Sequence, residues 1–296
     1  MKTIAKISCL VWLCFMFPLT TYAADSVEEI QEEINIQTEI LNGRLGNINH
    51  EIKNLEDDIS TYGEDYTYNY KTSNNTLNTQ TKETYSIQSS IFLTNEKEDD
   101  KSISELLEEK QNEKEQIDEK FLRIEKLQET IDNFSKIEFD SQDVTKPSYL
   151  TVEEIEFILK DTKLESLAQD FYDAEQEYGV NAFFIISIAA HESGWGTSSR
   201  AVNDNNLTGF GVYSDSSKGI NSSTKRDNIM LTTKTLKNNY LIKGGSCYHG
   251  LSVYDVSLSY CESRTWHTKV TNIGNNLKNE LLTNFLKEVD LTFLYD

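Results

Sequence analysis

Narrow apolar stripes run through the first half of the chain and restrict what it can fold into. Across residues 27–59 and again across 103–131, apolar side chains recur every three or four positions, and Glu, Lys, Asn and Gln fill the spaces between them. Such stripes favour long helices that pair along a seam over a globular core. The stripes consist of Val27, Ile30, Ile34, Leu41, Leu45, Ile48, Ile52, Leu55, Ile59, Ile103, Leu107, Ile117, Phe121, Ile124 and Ile131.

The two predicted arms are separated by a polar stretch, residues 61–95, rich in Tyr, Thr, Asn and Ser. This arrangement predicts an antiparallel helical hairpin with a polar tip, and a parallel oligomeric stalk fits nearly as well. A solvated, partly disordered acidic region is the third interpretation. We expect the register to slip near Gly43 and Gly46, and polar seam residues such as Lys110 to make the pairing only marginally stable.

The charge of the chain is strongly acidic and unevenly distributed. The 296 residues carry 49 Asp and Glu against 28 Lys and Arg, a net charge of −21. This balance argues against electrostatic binding of nucleic acid. Residues 25–146 hold 30 of the acids and 13 of the bases. Pro147, one of only two prolines, lies where the composition changes, so we expect a coiled-coil region at 25–146 and a second domain at 147–296.

The N-terminus reads as a secretory signal covering residues 1–23. Lys2 and Lys6 form a positive segment, 7–17 is apolar, and Ala23 is the small residue before a predicted cleavage site. Eleven apolar residues are too few to span a bilayer, which predicts an exported protein without stable membrane insertion after cleavage. An uncleaved anchor is the alternative.

The second half predicts a mainly α domain. A capping box at Thr151 and Glu154 begins one helix, and Gly179 ends another. Asn181 is expected to cap a helix that is apolar on every side and therefore central to the domain. Glycine-rich and asparagine-rich sequence up to about 250 predicts loops and a small hairpin. The expected helices are 152–160, 163–178, 182–190, 266–273 and 277–289.

An ionisable side chain stands at the end of the apolar helix, where residues 190–198 read A-H-E-S-G-W-G-T-S. Glu192 in such a place is costly unless it is used or paired. Burial raises the pKa of a carboxyl group, which suits a general acid for glycosidic cleavage. Gly194 and Gly196 let a loop or sugar approach closely, and Trp195 offers a face for stacking a sugar ring. The alternative is that Glu192 is a surface residue without a catalytic role and Trp195 belongs to the core.

These residues resemble a known family. Together with 205–213, which read N-N-L-T-G-F-G-V-Y, and 260–266, which read Y-C-E-S-R-T-W, they are similar to the endo-β-N-acetylglucosaminidase domain of bacterial autolysins, glycoside hydrolase family 73. The resemblance covers about residues 150–280. It implies a lysozyme-like fold, mostly helical with a small β lobe, and peptidoglycan as substrate. The family's domain is also described as an amidase. Thr208 departs from the family's usual Phe, and 261–264 depart from its third block.

The resemblance also implies roles for individual residues. Glu192 would be the catalytic acid, and Tyr260 would line the cleft opposite it and stabilise an intermediate formed by the substrate's own N-acetyl group. The implied substrate-binding residues are Trp195, Asn206, Phe210, Tyr213 and Trp266. Hydrolases of this kind normally use a second carboxylate. Nothing in the spacing favours any one of Asp204, Asp215, Asp227 and Glu262.

Cys247 and Cys261 are the cysteines that remain after the signal, and an oxidising compartment predicts a disulfide between them. The alternatives are a zinc site formed by Cys247, Cys261, His249 and His267, and the cysteine–histidine pair of a cysteine peptidase.

Together these features predict a secreted peptidoglycan hydrolase at the cell wall, without cofactor or metal. Its stalk would serve localisation, assembly or autoinhibition through self-association or an envelope partner. A lytic transglycosylase and a non-catalytic glycan-binding scaffold protein are the alternative functions.

Overall fold

The computed structural model describes residues 26–66, 101–212 and 219–295, and these residues are mainly helical, which confirms the predicted fold class. The predicted signal, most of the polar tip and Tyr213 lie outside the described residues. The described chain divides into two compact units, one of residues 31–127 and one of 26–30 with 128–295. None of its helices combines the length and apolar character that crossing a membrane requires.

Two long helices, α1 (Val27–Tyr62) and α2 (Ile103–Phe134), supply the unit of residues 31–127. Arg44 pairs with Glu113 at 3.3 Å and Glu51 pairs with Lys110 at 2.9 Å. The partners follow opposite orders along the two helices, so the helices run antiparallel. The buried apolar side chains of this unit recur at heptad spacing and are Ile34, Leu41, Ile48, Ile103, Ile117 and Ile124.

The expected register slip at Gly43 and Gly46 is wrong. Helix α1 continues through both glycines, and Leu41 and Ile48 on either side are buried one heptad apart. Both glycines are exposed and have open space where a side chain would stand, so neither requires a change of packing.

The second unit consists of short helices followed by one long helix. Their bounds are α3 Val152–Leu159, a 3₁₀ turn Glu165–Leu167, α4 Ala168–Tyr178, α5 Ala182–Ser193, α6 Ser199–Asn203, α7 Lys225–Thr235 continued by a π-helical segment Leu236–Leu241, α8 Val253–Tyr260, α9 Trp266–Glu288 and a 3₁₀ turn Thr292–Leu294.

Helix α5 forms the centre of this unit. Every residue from 182 to 190 is at most 2% exposed, in agreement with its apolar sequence. The long helix α9 and the helix α4 pack against it. The core also includes Ile137, Phe139 and Val144, so the packing of this unit begins before Pro147, where the sequence suggested the boundary.

The N-terminus of α5 is capped differently from the prediction. The Asn181 side chain makes no cap hydrogen bond and instead donates to the carbonyl oxygens of Glu138 and Lys146, both at 3.0 Å. Glu175 takes over the cap, because its Oε2 accepts from the Ala182 N–H at 3.1 Å. A carboxylate is a suitable partner for the free N–H groups at a buried helix start.

Helix ends with local signals formed as expected. Thr151 and Glu154 make both hydrogen bonds of the capping box, and Gly179 ends α4 in the left-handed conformation at φ 61°. The two C-terminal helices are wrong as separate elements, because α9 runs unbroken from 266 to 288. Gly274 permits close packing by the Phe139 ring in the place a side chain would fill, and it does not interrupt the helix.

The expected β lobe is not found, since the described residues contain no strand. In the described residues between α6 and α7, which are 204–212 and 219–224, asparagine side chains bind backbone carbonyl groups. Asn205 donates to the carbonyl oxygens of Ser222 and Ser223, at 3.3 and 3.0 Å. Side-chain bonds of this kind satisfy the backbone without a strand ladder.

Candidate active site

Glu192 lies in the last turn of α5, at the point where the buried helix ends. Gly194 and Trp195 both adopt positive φ, 57° and 60°, and reverse the chain at once. The Ser193 hydroxyl donates to the Ala189 carbonyl and accepts from the Gly196 N–H at 2.7 Å, which fixes the reversal. The turn leaves the Glu192 carboxyl partly buried at the edge of the core.

One carboxyl oxygen of Glu192 is held by Trp266. The Trp266 indole N–H donates to Oε1 at 2.7 Å, and Trp266 itself is 1% exposed. An indole N–H in such a buried place needs an acceptor. The bond therefore orients the carboxyl and directs its second oxygen elsewhere.

The second oxygen, Oε2, faces Gly209. A Cβ added at Gly209 would lie 3.1 Å from Oε2, and Gly209 has φ +66°. Among the described residues Oε2 accepts no hydrogen bond, so it is available to a ligand. Glycine is required here for two reasons, the left-handed backbone and the close approach to the carboxyl.

Asn206 braces the loop that carries Gly209. Its Oδ1 accepts from the Phe210 N–H at 2.9 Å, and its Nδ2 donates to the carbonyl oxygens of Phe210 and Ile220 at 3.1 and 3.4 Å. Asn206 is 2% exposed. It thus shapes the loop from inside, and its side chain is engaged with backbone groups.

A buried polar network lies beneath the same loop. The Thr208 hydroxyl contacts the Thr232 hydroxyl at 2.6 Å and the Asn228 Oδ1 at 3.3 Å, and that Oδ1 also accepts from the Leu207 N–H at 2.9 Å. Thr208, Asn228 and Thr232 are each at most 1% exposed. The network explains the threonine where the family usually has Phe, because the hydroxyl has two polar partners supplied by α7.

Tyr260 connects this loop to the tryptophan. Its hydroxyl donates to the Thr208 carbonyl at 2.9 Å, and its ring lies against the Trp266 ring with centroids 4.9 Å apart. Burial, followed by the nearby charge of Glu192, raises the pKa of Tyr260 well above its usual value. The phenol is therefore neutral at physiological pH and acts as a hydrogen-bond donor.

The structure brings together Glu192, Tyr260, Trp266 and the Asn206 loop. Trp266 was predicted to bind substrate, but its ring is buried and its N–H is used by Glu192. Trp195 and Phe210 are partly exposed, and Trp195 also packs on the core. Sequence reasoning missed Asn228 and Thr232, which lie on a helix it did not predict.

The candidate second carboxylates have separate surroundings. Asp227 accepts from the Thr224 N–H in the capping box of α7 and is exposed, as is Glu262. Asp204 is partly exposed and follows α6. Asp215 lies outside the described residues.

The predicted disulfide is not formed in the structure, where Cys247 and Cys261 are free thiols. The alternative zinc site is not formed either. The described part of the chain has no group of three or more His, Cys, Asp or Glu that could hold a metal ion. His249 instead bonds the Ser259 hydroxyl at 2.8 Å.

Glycoside hydrolases use a carboxyl group beside the scissile bond as general acid, and Glu192 is a carboxyl group that a buried indole N–H orients. The model of the glucosaminidase family, described as mannosyl-glycoprotein endo-beta-N-acetylglucosaminidase, matches residues 168–279. This range contains Glu192, Gly209, Tyr260 and Trp266. The resemblance seen in the motifs is confirmed, and residues 168–279 form a glucosaminidase-family domain.

Two curated relatives are similar over the same part of the chain. Both are provisionally named endo-beta-N-acetylglucosaminidase, from Streptococcus pneumoniae strains TIGR4 and R6, and are 26% identical over 148 residues. The match covers 47% of this chain and 22% and 21% of the relatives. The chain thus aligns with about a fifth of the length of these relatives.

Solved structures of S. aureus autolysin E are also similar. One is a catalytic mutant in complex with the disaccharide NAG-NAM, at 18% identity and a TM-score of 0.41, covering 51% of this chain and 77% of that chain. Another is a complex with the muropeptide NAM-L-ALA-D-iGLU, at 20% identity and a TM-score of 0.41, covering 52% and 78%.

Proposed function

We propose that the chain is an endo-β-N-acetylglucosaminidase that hydrolyses the glycan strand of peptidoglycan, with Glu192 as general acid. The proposal rests on the different environments of the two oxygens of the Glu192 carboxyl group. Oε1 is bound by Trp266, while Oε2 faces Gly209 without another hydrogen bond among the described residues. One oxygen is anchored, and the other is available to the glycosidic oxygen.

In the proposed reaction Glu192 gives its proton to the glycosidic oxygen as the bond to C1 breaks. The acetamido oxygen of the substrate attacks C1 and forms a cyclic intermediate. Water then attacks C1, and Glu192 takes back a proton as base. This route requires no second carboxylate from the protein. Asp227 and Glu262 are consistent with it, because both are exposed and Asp227 is used in the capping box of α7.

Tyr260 is assigned a stabilising role in this proposal. Its phenol is neutral because its pKa is raised, so it can donate a hydrogen bond but not accept a proton as a base. In the structure the hydroxyl donates to Thr208, which joins Tyr260 to the loop opposite Glu192. Rotation of the hydroxyl toward the substrate would supply a donor at the reacting centre. Phe210, Tyr213 and Trp195 would contact the sugars.

The proposal also covers the location of the protein and the role of its first two helices. The protein would be exported by its signal and act at the cell wall. The antiparallel α1–α2 pair would serve as a coiled-coil stalk for localisation, assembly or autoinhibition.

Analysis of the products tests the proposal. Purified peptidoglycan is digested with the full chain, and the released muropeptides are identified by mass spectrometry after borohydride reduction. Reduced N-acetylglucosamine ends are expected. Anhydro-muramic ends would contradict hydrolysis and identify a lytic transglycosylase, whereas an absence of products from folded protein would favour a glycan-binding scaffold.

A further inference from the structure

A second recess lies on the same unit as Glu192, between the loop at 141–142, α8 and the first turns of α9. Its volume is about 230 Å³, and Tyr254, His267, Thr271 and Asn272 contribute to its walls. No sequence motif pointed to it, and the proposed reaction does not use it.

The walls of the recess are fixed by backbone bonds. The Val253 N–H donates to the Ser141 carbonyl at 2.9 Å, and the Val144 N–H donates to the Leu251 carbonyl at 3.0 Å. Val253, one of the residues that line the recess, is 1% exposed. The recess is therefore already formed without a ligand, as binding sites for small molecules usually are.

Tyr254 presents an aromatic face at the recess. The residue is 54% exposed, although an aromatic side chain normally buries its ring. The His267 ring stands against it edge-on, at 90° and with centroids 5.1 Å apart. This contact fixes the orientation of the tyrosine ring while leaving much of its surface open.

The other walls are polar and uncharged. Thr271 and Asn272 form no side-chain hydrogen bond with another described residue, and they offer donors and acceptors together. The lining includes no Asp, Glu, Lys or Arg, in a chain that has 49 acidic residues. An aromatic face flanked by hydroxyl and amide groups matches a neutral, polyhydroxylated ligand better than an ion or a purely apolar one.

The recess is separate from the Glu192 site but close to it along the chain. Trp266 and His267 are consecutive residues of α9, and successive side chains of a helix point about 100° apart. Trp266 is directed to Glu192, and His267 lines the recess. We infer that the recess binds a sugar unit of a glycan strand, as a second contact with the polymer that Glu192 cleaves.

This inference rests on the proposed function for the identity of the polymer. A second contact on one strand converts part of the binding into an intramolecular event and raises the overall affinity for a polymer without changing the chemistry. Substitutions in the recess should therefore weaken binding to insoluble wall and leave kcat on short fragments unchanged.

Binding is measured with the full chain carrying Glu192→Gln, so that cleavage does not interfere. Sedimentation with purified peptidoglycan compares this protein with the same protein carrying Tyr254→Ala. We expect roughly tenfold weaker binding, about the loss of one stacking contact. Leu258→Ala is the matched control, because Leu258 is 53% exposed on the same helix and does not line the recess. Asn272→Ala is a second variant whose binding should also fall.

Soluble tetra-N-acetylglucosamine identifies the ligand. In NMR titrations of the same proteins it should shift the amide signals of 267–272, and Tyr254→Ala should abolish those shifts. Unchanged wall binding by the Tyr254 and Asn272 variants would overturn the inference. Weaker wall binding without a response to the saccharide would overturn it too, and would indicate the peptide stems. A wild-type chain that binds as expected but cuts nothing would refute the proposed function alone.

Discussion

At the scale of single residues, Glu192 is defined by what touches each of its oxygens. Trp266 binds Oε1, and the backbone of Gly209 approaches Oε2. Neither partner is near Glu192 in sequence, and both positions tolerate little change. Trp266 is buried and uses its only polar atom, while Gly209 has a positive φ and no room for a side chain.

Gly209→Ala should strongly lower the rate of hydrolysis while it lowers the free energy of unfolding only modestly. The added Cβ would lie 3.1 Å from Glu192 Oε2, so the carboxyl must shift, and a 1 Å misplacement of a reacting group can cost roughly 100-fold in rate. Steady-state kinetics on soluble glycan fragments measure this loss.

Gly179→Ala is the matched control for backbone strain. Gly179 has φ +61°, close to the +66° of Gly209, but among the described residues only Lys237 Nζ, at 3.8 Å, lies within 4 Å of its added Cβ. Both variants should lose about 1–2 kcal/mol of folding free energy. Equal activity of the two variants would contradict the close-approach account.

At the scale of elements, Lys110 is a charged residue within the apolar stripe of the α1–α2 pair. Lys110 lies seven residues from both Ile103 and Ile117, which are buried. It pairs with Glu51 at 2.9 Å and Glu113 at 3.2 Å, and the hydrogen bond to Glu51 is the largest cause that raises the pKa of Lys110. Such a residue in a seam typically fixes register and orientation at a cost in stability.

Lys110→Ile should stabilise the helical pair, because an apolar residue would complete the stripe. We expect a gain of about 1 kcal/mol, because a lysine at a seam position lowers the stability of a coiled coil, and Glu51 and Glu113 are exposed enough to stay solvated without it. Circular dichroism during urea unfolding measures the gain. Lys53→Ile, at an exposed position of α1, is the control and should show none. A loss of stability in Lys110→Ile would argue against a seam at this position.

Elements with local signals could be predicted, and those that depend on distant contacts could not. Helix α5 was foreseen from its continuous apolar run, and α3 and α4 from a capping box and a terminal glycine. Helix α7 was missed although Thr224 and Asp227 form a capping box, a signal present in the sequence. The Thr208–Asn228–Thr232 network was not foreseen, because Asn228 and Thr232 lie 20 and 24 positions from Thr208 in the sequence.

At the scale of the whole molecule, Glu175 joins three segments of the second unit. The backbone N–H of Ser148 and its hydroxyl donate to the carboxyl, as does the N–H of Ala182 at the start of α5. Burial is the main influence and raises the pKa of Glu175, while the hydrogen bonds oppose the increase. The folded unit therefore holds this proton more tightly than the unfolded chain does.

The contribution of Glu175 to stability should fall as the pH rises. A raised pKa in the folded state means that the contribution is complete below the ordinary carboxyl value of 4.5 and is lost as the pH rises through the folded-state pKa. Urea unfolding of the wild type and of Glu175→Gln across this range should give a difference in free energy that declines with increasing pH. A difference independent of pH would contradict the assignment.

The charge of the whole chain is concentrated away from the proposed catalytic domain. Residues 147–296 carry 19 of the 49 acids with 13 of the bases, so this half is only mildly acidic. A catalytic domain of low net charge suits a wall whose polymers are themselves negative, because the repulsion between like charges is small.

Hydrolysis of peptidoglycan by Glu192→Gln measures the contribution of the proposed general acid. Glutamine keeps the size of the side chain and an oxygen for the Trp266 N–H but has no proton to give the glycosidic oxygen. We expect kcat on peptidoglycan to fall by about 100-fold to 10,000-fold, with unchanged thermal unfolding. The matched control Glu262→Gln, at an exposed glutamate, should retain full activity. Wild-type activity in Glu192→Gln would contradict the account.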